Sequence, residues 1–294
     1  MFKTLSLTIA LLITTSAAAA ERTYSTVDGA GGVPLLVMET GPKTGPAILF
    51  IHGMSQSHLA WEPQFDSGLA EKYHLIAFDM RGHGGSGKPW RKEDYTGSKP
   101  WSDDVAAVID KLALKDVTIV SWSFGGFVAV AYAREYGTAN IHALAFSGTL
   151  AGLIDFPRTP NPDYEKIMQG SRQRGALDLS ANIEGYRAMP NSFTAKGLSE
   201  EAQATAFYTG LMNPSYVRRA MTSLPLANTD MVAKLDMPVL IAVGTSDLEW
   251  PAPVARKLAE QLPKGELSLY EGAGHTPSME DAARFNTELD KLAR

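Results

Sequence analysis

Residues 119–126 read Ile-Val-Ser-Trp-Ser-Phe-Gly-Gly. The stretch begins as an apolar, β-branched run and ends as the opening of a helix, so the chain must reverse within two or three residues. Such a turn forces unfavourable dihedrals on its central residue and crowds the flanking backbones. The positions two before and two after the centre must therefore be small. With Ser123 at the centre these positions are Ser121 and Gly125, and both are small. With Ser121 at the centre they are Ile119 and Ser123, and isoleucine does not fit. The spacing selects Ser123 and makes Ser121 a steric substitute for glycine in a G-x-S-x-G pattern.

Outward from this turn the same rhythm repeats. Ala47–Ile51, His74–Phe78, Val117–Val120, Ile141–Phe146, Pro238–Val243 and Glu266–Tyr270 are short apolar runs. Trp101–Leu112, Phe124–Tyr136 and a closing stretch from about Ser278 to Leu292 carry helical spacing. Strands that are apolar throughout, alternating with helices, predict a doubly wound, mostly parallel sheet covered on both faces, an α/β fold. The rhythm breaks over residues 151–231, where Pro157, Pro160, Pro162, Pro190 and Pro214 punctuate helical pieces and no strand run appears. That segment reads as a helical cap inserted into a core made of residues 21–150 and 232–294. Within it, Ser199 and Asn213-Pro214 are expected to start helices.

Residues 1–20 form a segment of their own. Lys3 precedes an apolar run from Leu5 to Ile13, and Ser16 to Ala20 supplies small residues. The pattern is that of a cleaved signal peptide, and it predicts a periplasmic or secreted protein without a stable membrane anchor. A net charge of -5 with no long basic run argues against nucleic acid as a partner and for a small-molecule substrate. The absence of cysteine excludes thiol catalysis and disulfides. No two histidines have helical metal-ligand spacing, so neither a metal nor a cofactor is expected.

A serine hydroxyl needs a base, and the base needs an orienting carboxylate. His275 lies in Gly-Ala-Gly-His-Thr-Pro, a glycine-rich loop after a strand, and Asp247 lies just beyond the preceding strand in Gly-Thr-Ser-Asp. The order Ser123, Asp247, His275, each past the C-terminal end of a strand, is a specific signal. With Phe50-Ile-His-Gly-Met54 and Phe78-Asp-Met-Arg-Gly-His-Gly-Gly-Ser-Gly87, these segments make the chain resemble the α/β-hydrolase fold superfamily, of the serine-nucleophile esterase type with a helical cap. The resemblance implies a Ser123 nucleophile, a His275 base, an Asp247 orienter and an oxyanion hole from the backbone N–H groups of Met54 and Phe124. Among the other histidines, His52 and His83 are expected to be structural, and His58, His74 and His142 to be surface or satisfied strand residues. Asp79 and Arg81 read as loop braces, and Asp103 and Asp104 as capping residues after Ser102.

A serine rather than an aspartate at the turn points to acyl transfer, with carboxylic esters or lactones of small to medium, mostly apolar substrates as the default. Trp122, Phe156, Phe193, Phe207 and Met212 are candidates for the pocket wall. The insertion shows no dedicated cluster of charge, which argues against a highly anionic substrate. The same triad also serves cofactor-free perhydrolases or haloperoxidases and C–C bond hydrolases. A ligand-binding protein with a vestigial triad is the non-enzyme alternative.

Overall fold

The computed structural model describes residues 21–158, 160–222, 224 and 226–294. Residues 1–20, expected from the sequence to be a signal peptide, lie outside them. Eight strands form one sheet: β1 (Thr23–Asp28), β2 (Pro34–Thr40), β3 (Ala47–Ile51), β4 (His74–Phe78), β5 (Val117–Trp122), β6 (Ile141–Ser147), β7 (Val239–Gly244) and β8 (Gly265–Tyr270). Their order is β1-β2-β4-β3-β5-β6-β7-β8. The hairpin β1–β2 is antiparallel and meets β4 antiparallel; every pairing from β4 through β3 to β8 is parallel. The parallel part follows the apolar runs of the sequence. Strand β1 has no such signature, because it exposes all its residues except Val27, whereas β2 carries an apolar run, residues 35–38, that is absent from the strands read above.

The helices are α1 (Glu62–Phe65), α2 (Lys99–Lys111), α3 (Phe124–Tyr136), α4 (Pro162–Arg174), α5 (Leu179–Arg187), α6 (Met189–Phe193), α7 (Glu200–Leu211), α8 (Ser215–Met221), α9 (Ala252–Gln261), α10 (Pro277–Glu280) and α11 (Ala282–Leu292). Successive side chains of each parallel strand enter opposite layers. Leu49 and Ile51 pack toward α2, α3 and α9, while Ile48 and Phe50 pack toward Trp61, Phe65 and α11. Both layers are buried, which is why these strands are apolar on both faces. Each large side chain so buried contributes about 1.5–3 kcal/mol.

Helices α4 to α8 all fall between β6 and β7, with no strand among them. They sit over the strand ends through specific ties. The Asn213 side chain accepts from Ser55 Oγ at 2.9 Å and donates to the Gly82 carbonyl at 2.9 Å, and Tyr186 donates to the Asn213 carbonyl at 3.0 Å. Asn213 therefore does not cap α8, contrary to the expectation from its Asn-Pro sequence; Pro214 holds that position and supplies no side-chain bond. Ser199 does cap α7, accepting from the Ala202 N–H at 3.2 Å.

Two further expectations are corrected. Helix α2 begins at Lys99, so Asp103 and Asp104 lie inside it and do not cap it. Asp104 is buried and grips Arg81 with two bonds of 2.7 Å, because the loop after β4 folds back onto this helix. The closing helix is interrupted at Asp281, whose non-helical backbone (φ -141°, ψ 61°) ends α10 and whose carboxylate caps α11. Asp79 and Arg81 are loop braces as expected. His58 is not a surface residue: it is buried against Asp79, whose carboxylate accepts from its N–H at 2.7 Å and from its ring at 2.8 Å. His74 is a satisfied strand residue on Glu39.

Candidate active site

The turn between β5 and α3 places Ser123 at φ 52°, ψ -118°, a left-handed region that costs a non-glycine residue about 1–3 kcal/mol. Its N–H donates to the Ser147 carbonyl at 3.1 Å, and its own carbonyl accepts from Gly126 at 3.0 Å, so strand and helix both pin the residue. A Cβ on Gly125 would come within 2.4 Å of the Ile51 carbonyl and 2.8 Å of the His52 carbonyl. The small residue required there is explained by backbone, which cannot move aside. Ser121 is wholly buried, and its hydroxyl reaches only the Ala145 carbonyl at 3.3 Å.

His275 faces Ser123. Its Nε2 lies 2.9 Å from Ser123 Oγ, and its Nδ1 lies 3.0 Å from Asp247 Oδ2. An ionised carboxylate can only accept, so Nδ1 carries the proton in this network and Nε2 is left as the acceptor for the serine hydroxyl. The backbone of His275 is held on both sides: its N–H donates to the Phe193 carbonyl at 2.6 Å, and its carbonyl accepts from the Trp122 ring at 2.9 Å. Asp247 Oδ1 is turned toward the Glu249 N–H at 2.8 Å. Burial opposes a charge on His275, but Asp247, Glu249 and Glu280 outweigh it and hold the imidazole up at about 9.

The loop after β3 completes the constellation. Gly53 is required for close approach: a Cβ there would meet the Trp122 ring at 3.0 Å and the Ser123 Cβ at 3.3 Å. His52 is buried and neutral, pushed down to about 4 by burial. Its Nδ1 donates to the Gly53 carbonyl at 2.7 Å, and its Nε2 accepts from the Met80 N–H at 3.0 Å, which fixes the loop. Neither the Met54 nor the Phe124 N–H donates to a protein acceptor among the described residues. Phe124 opens α3, where the helix dipole favours negative charge.

Two clefts adjoin these residues. One, about 430 Å³, has Asp247 and His275 on the core side and α4 and α6 on the cap side. The other, about 530 Å³, opens between α1 and α7. Phe193 borders both and Trp122 the second; their rings meet edge to face at 5.2 Å. Ser123 is half-buried and lines neither. Phe156, Phe207 and Met212 are not brought to the clefts. Phe156 packs on Trp250, Phe207 packs on Tyr208, and Met212 is exposed.

A pair of charges at the first cleft is not apparent in the sequence. Arg174 lines the first cleft, and Arg218 lies buried close to it. They are 44 positions apart in sequence, so no local run displays them. One signal was available: Val217, Arg218 and Met221 share the buried face of α8, so Arg218 stands within an apolar stripe.

This chain belongs to the alpha/beta hydrolase fold family, which matches residues 46–282. It is 27% identical over 271 residues to a non-heme chloroperoxidase, CPO-A1, of Kitasatospora aureofaciens, covering 88% of this chain and 95% of that one. It is 26% identical over 265 residues to the bifunctional esterase/perhydrolase DCH of Acinetobacter calcoaceticus, covering 88% and 95%. Among solved structures, the esterase RhEst1 from Rhodococcus sp. ECU1013 superposes with a TM-score of 0.82 at 26% identity, over 92% of this chain and 98% of that one.

Proposed function

We propose that this protein is a serine hydrolase that cleaves carboxylic esters or lactones of small to medium substrates through an acyl-enzyme. The observation that carries the reading is the unbroken chain from Ser123 Oγ through His275 to Asp247, at 2.9 and 3.0 Å, anchored on a strained serine. Ser123 Oγ attacks the carbonyl carbon while His275 Nε2 takes its proton. The oxyanion that forms accepts hydrogen bonds from the Met54 and Phe124 N–H groups, where one such donor is worth about 10²–10³ in kcat. His275 then protonates the leaving alcohol, and water repeats the cycle to release the acid. Apolar parts of the substrate pack on Trp122 and Phe193.

The test is steady-state hydrolysis of a short-to-medium chain p-nitrophenyl ester series. Ser123→Ala is expected to lower kcat by at least about 10³-fold, while Ser121→Ala stays within a few-fold of wild type. Wild type inert on every ester and on a series of lactones would overturn the reading.

The named activities of two relatives, a chloroperoxidase and an esterase/perhydrolase, favour a second reading on the same residues. Hydrogen peroxide in place of water would release a peracid from the acyl-enzyme. Peracid formation from acetate and peroxide, compared with ester hydrolysis, separates the two. We also infer export from the pattern of residues 1–20; a mature N-terminus near Glu21 in the periplasmic or secreted fraction is the expected result.

A further inference from the structure

The cap holds two guanidiniums to which ester cleavage as described above gives no task. Arg174, the last residue of α4, and Arg218, on α8, are 6% and 8% exposed. Neither forms an ion pair among the described residues. Of five N–H donors on each guanidinium, Arg174 uses Nη1 toward the Gly185 carbonyl at a long 3.4 Å, and Arg218 uses Nη2 toward Ser171 Oγ at 2.5 Å. Arg218 Nε is buried with no partner. The two lie close enough for Arg218 to add to the burial that pushes Arg174 down to about 10. A buried cation without a counter-charge is strongly unfavourable, so the arrangement makes sense only if something else supplies negative charge.

Tyr186 and Glu249 both act on the two guanidiniums; burial raises the Tyr186 phenol and keeps it neutral, which leaves Glu249 as the candidate counter-charge within the protein. It makes no ion pair with either, and one carboxylate against two guanidiniums leaves a surplus of a single positive charge. Asp163 and Asp247, on the same cleft, are already engaged, by Lys166 and His275. Arg174 is among the residues that line the cleft also lined by His275 and Asp247.

We propose that Arg174, backed by Arg218, is a carboxylate-binding subsite in the cleft beside His275, and that the preferred substrates are esters carrying one free carboxylate besides the scissile bond. A monoanion matches the single surplus charge, whereas a phosphate monoester would overbalance it. The inference rests on the acyl-transfer reading for its chemistry but not for its binding step. A single carboxylate is compatible with the expectation against a highly anionic substrate and adds one charge to a mostly apolar one.

The experiment compares mono-p-nitrophenyl glutarate with p-nitrophenyl butyrate, which share a leaving group, and 4-acetoxybenzoate with phenyl acetate for the alcohol side. Wild type is expected to favour the anionic member of at least one pair. In Arg174→Met the anionic-to-neutral ratio of kcat/KM should fall about 10- to 100-fold, the worth of one charge-assisted bond, with partial recovery in Arg174→Lys. A purely structural role would lower both substrates together and leave the ratio unchanged, which overturns the proposal. Binding is read without turnover in Ser123→Ala, where monomethyl glutarate, a monoanion, should raise Tm and should fail to do so once Arg174→Met is added. If wild type hydrolyses no ester or lactone but monomethyl glutarate still raises the Tm of Ser123→Ala, the acyl-transfer reading fails and the subsite stands. If esters are hydrolysed with no anionic preference and monomethyl glutarate has no effect on Tm, the subsite is wrong and the hydrolase reading stands.

Discussion

His275 shows how far one residue's environment can be turned into a measurement. It must be neutral to take a proton from Ser123, yet its surroundings favour the charged form. Burial works against that charge, and Asp247 and then Glu249 more than restore it, giving about 9. In the free enzyme kcat/KM should therefore rise with pH and level off only above about 9. Glu249→Gln removes one of the charges and should move the midpoint to lower pH, by up to about 1 unit. A pH–rate profile of both proteins on a neutral ester checks this; an unmoved midpoint would assign the effect to Asp247 and Glu280. At this scale the sequence was legible wherever sterics dictated residue size. Ser123 could be told from Ser121 because only Ser123 has small residues on both sides, and the backbone of Ile51 and His52 over Gly125 is the reason. Arg174, Arg218 and Glu249 were not legible, since their meaning comes from burial beside one another.

Elements are joined here by charges that look ordinary in the sequence. The loop after β4 is held to α2 by Arg81, whose guanidinium spans Asp104 and the Ala30 carbonyl; the Ala30 N–H returns a bond to Asp104 at 2.9 Å. Arg81 and Asp104 are each 1% exposed. Removing one partner strands the other in the interior, so Asp104→Ala should lower stability by about 3–5 kcal/mol in urea unfolding. The double change Arg81→Met with Asp104→Leu should recover most of that loss. If Asp104→Ala instead cost less than about 1 kcal/mol, water would have to reach the pair. Element legibility follows the same physics. Strands buried on both faces announce themselves as apolar runs, so β3 to β7 could be placed, and the edge strand β8, only partly buried, is marked by Leu267, Leu269 and Tyr270. Strand β1 could not be placed, because it is mostly exposed and carries polar residues, and without that partner the apolar run of β2 stands alone in the sequence. Asn213 reads locally as a cap, and its tertiary partners Ser55 and Gly82 override that reading.

For the molecule as a whole, the buried histidines of the loops and the histidine of the candidate site pull stability in opposite directions with pH. Burial pushes His52 down to about 4, and burial together with the nearby His52 pushes His83 down to about 3, from 6.5. Below pH 6.5 the unfolded chain takes up protons that the folded chain refuses, so stability falls as pH falls toward 4. Each histidine contributes up to about 1.4 kcal/mol per pH unit to that slope. Asp79 steepens the acid end: its carboxylate, held down at about 2 against burial by His58 and His52, stabilises the fold above 3.8 and stops doing so as pH falls through 2. His275 has the reverse sign. Its folded value lies above 6.5, so its contribution is full below pH 6.5 and is lost as pH rises through 9. The free energy of unfolding, measured in urea from about pH 4.5 to about 9.5, should therefore form a dome with its maximum near pH 6.5. Asp247→Asn should flatten the alkaline limb by removing the charge that sustains the His275 proton. His83→Gln should make the acid limb shallower by about one proton and leave the alkaline limb alone. A curve flat between pH 5 and 9 would mean that the two sets of histidines titrate alike in the folded and unfolded chain, and that burial in these loops is not what holds them neutral.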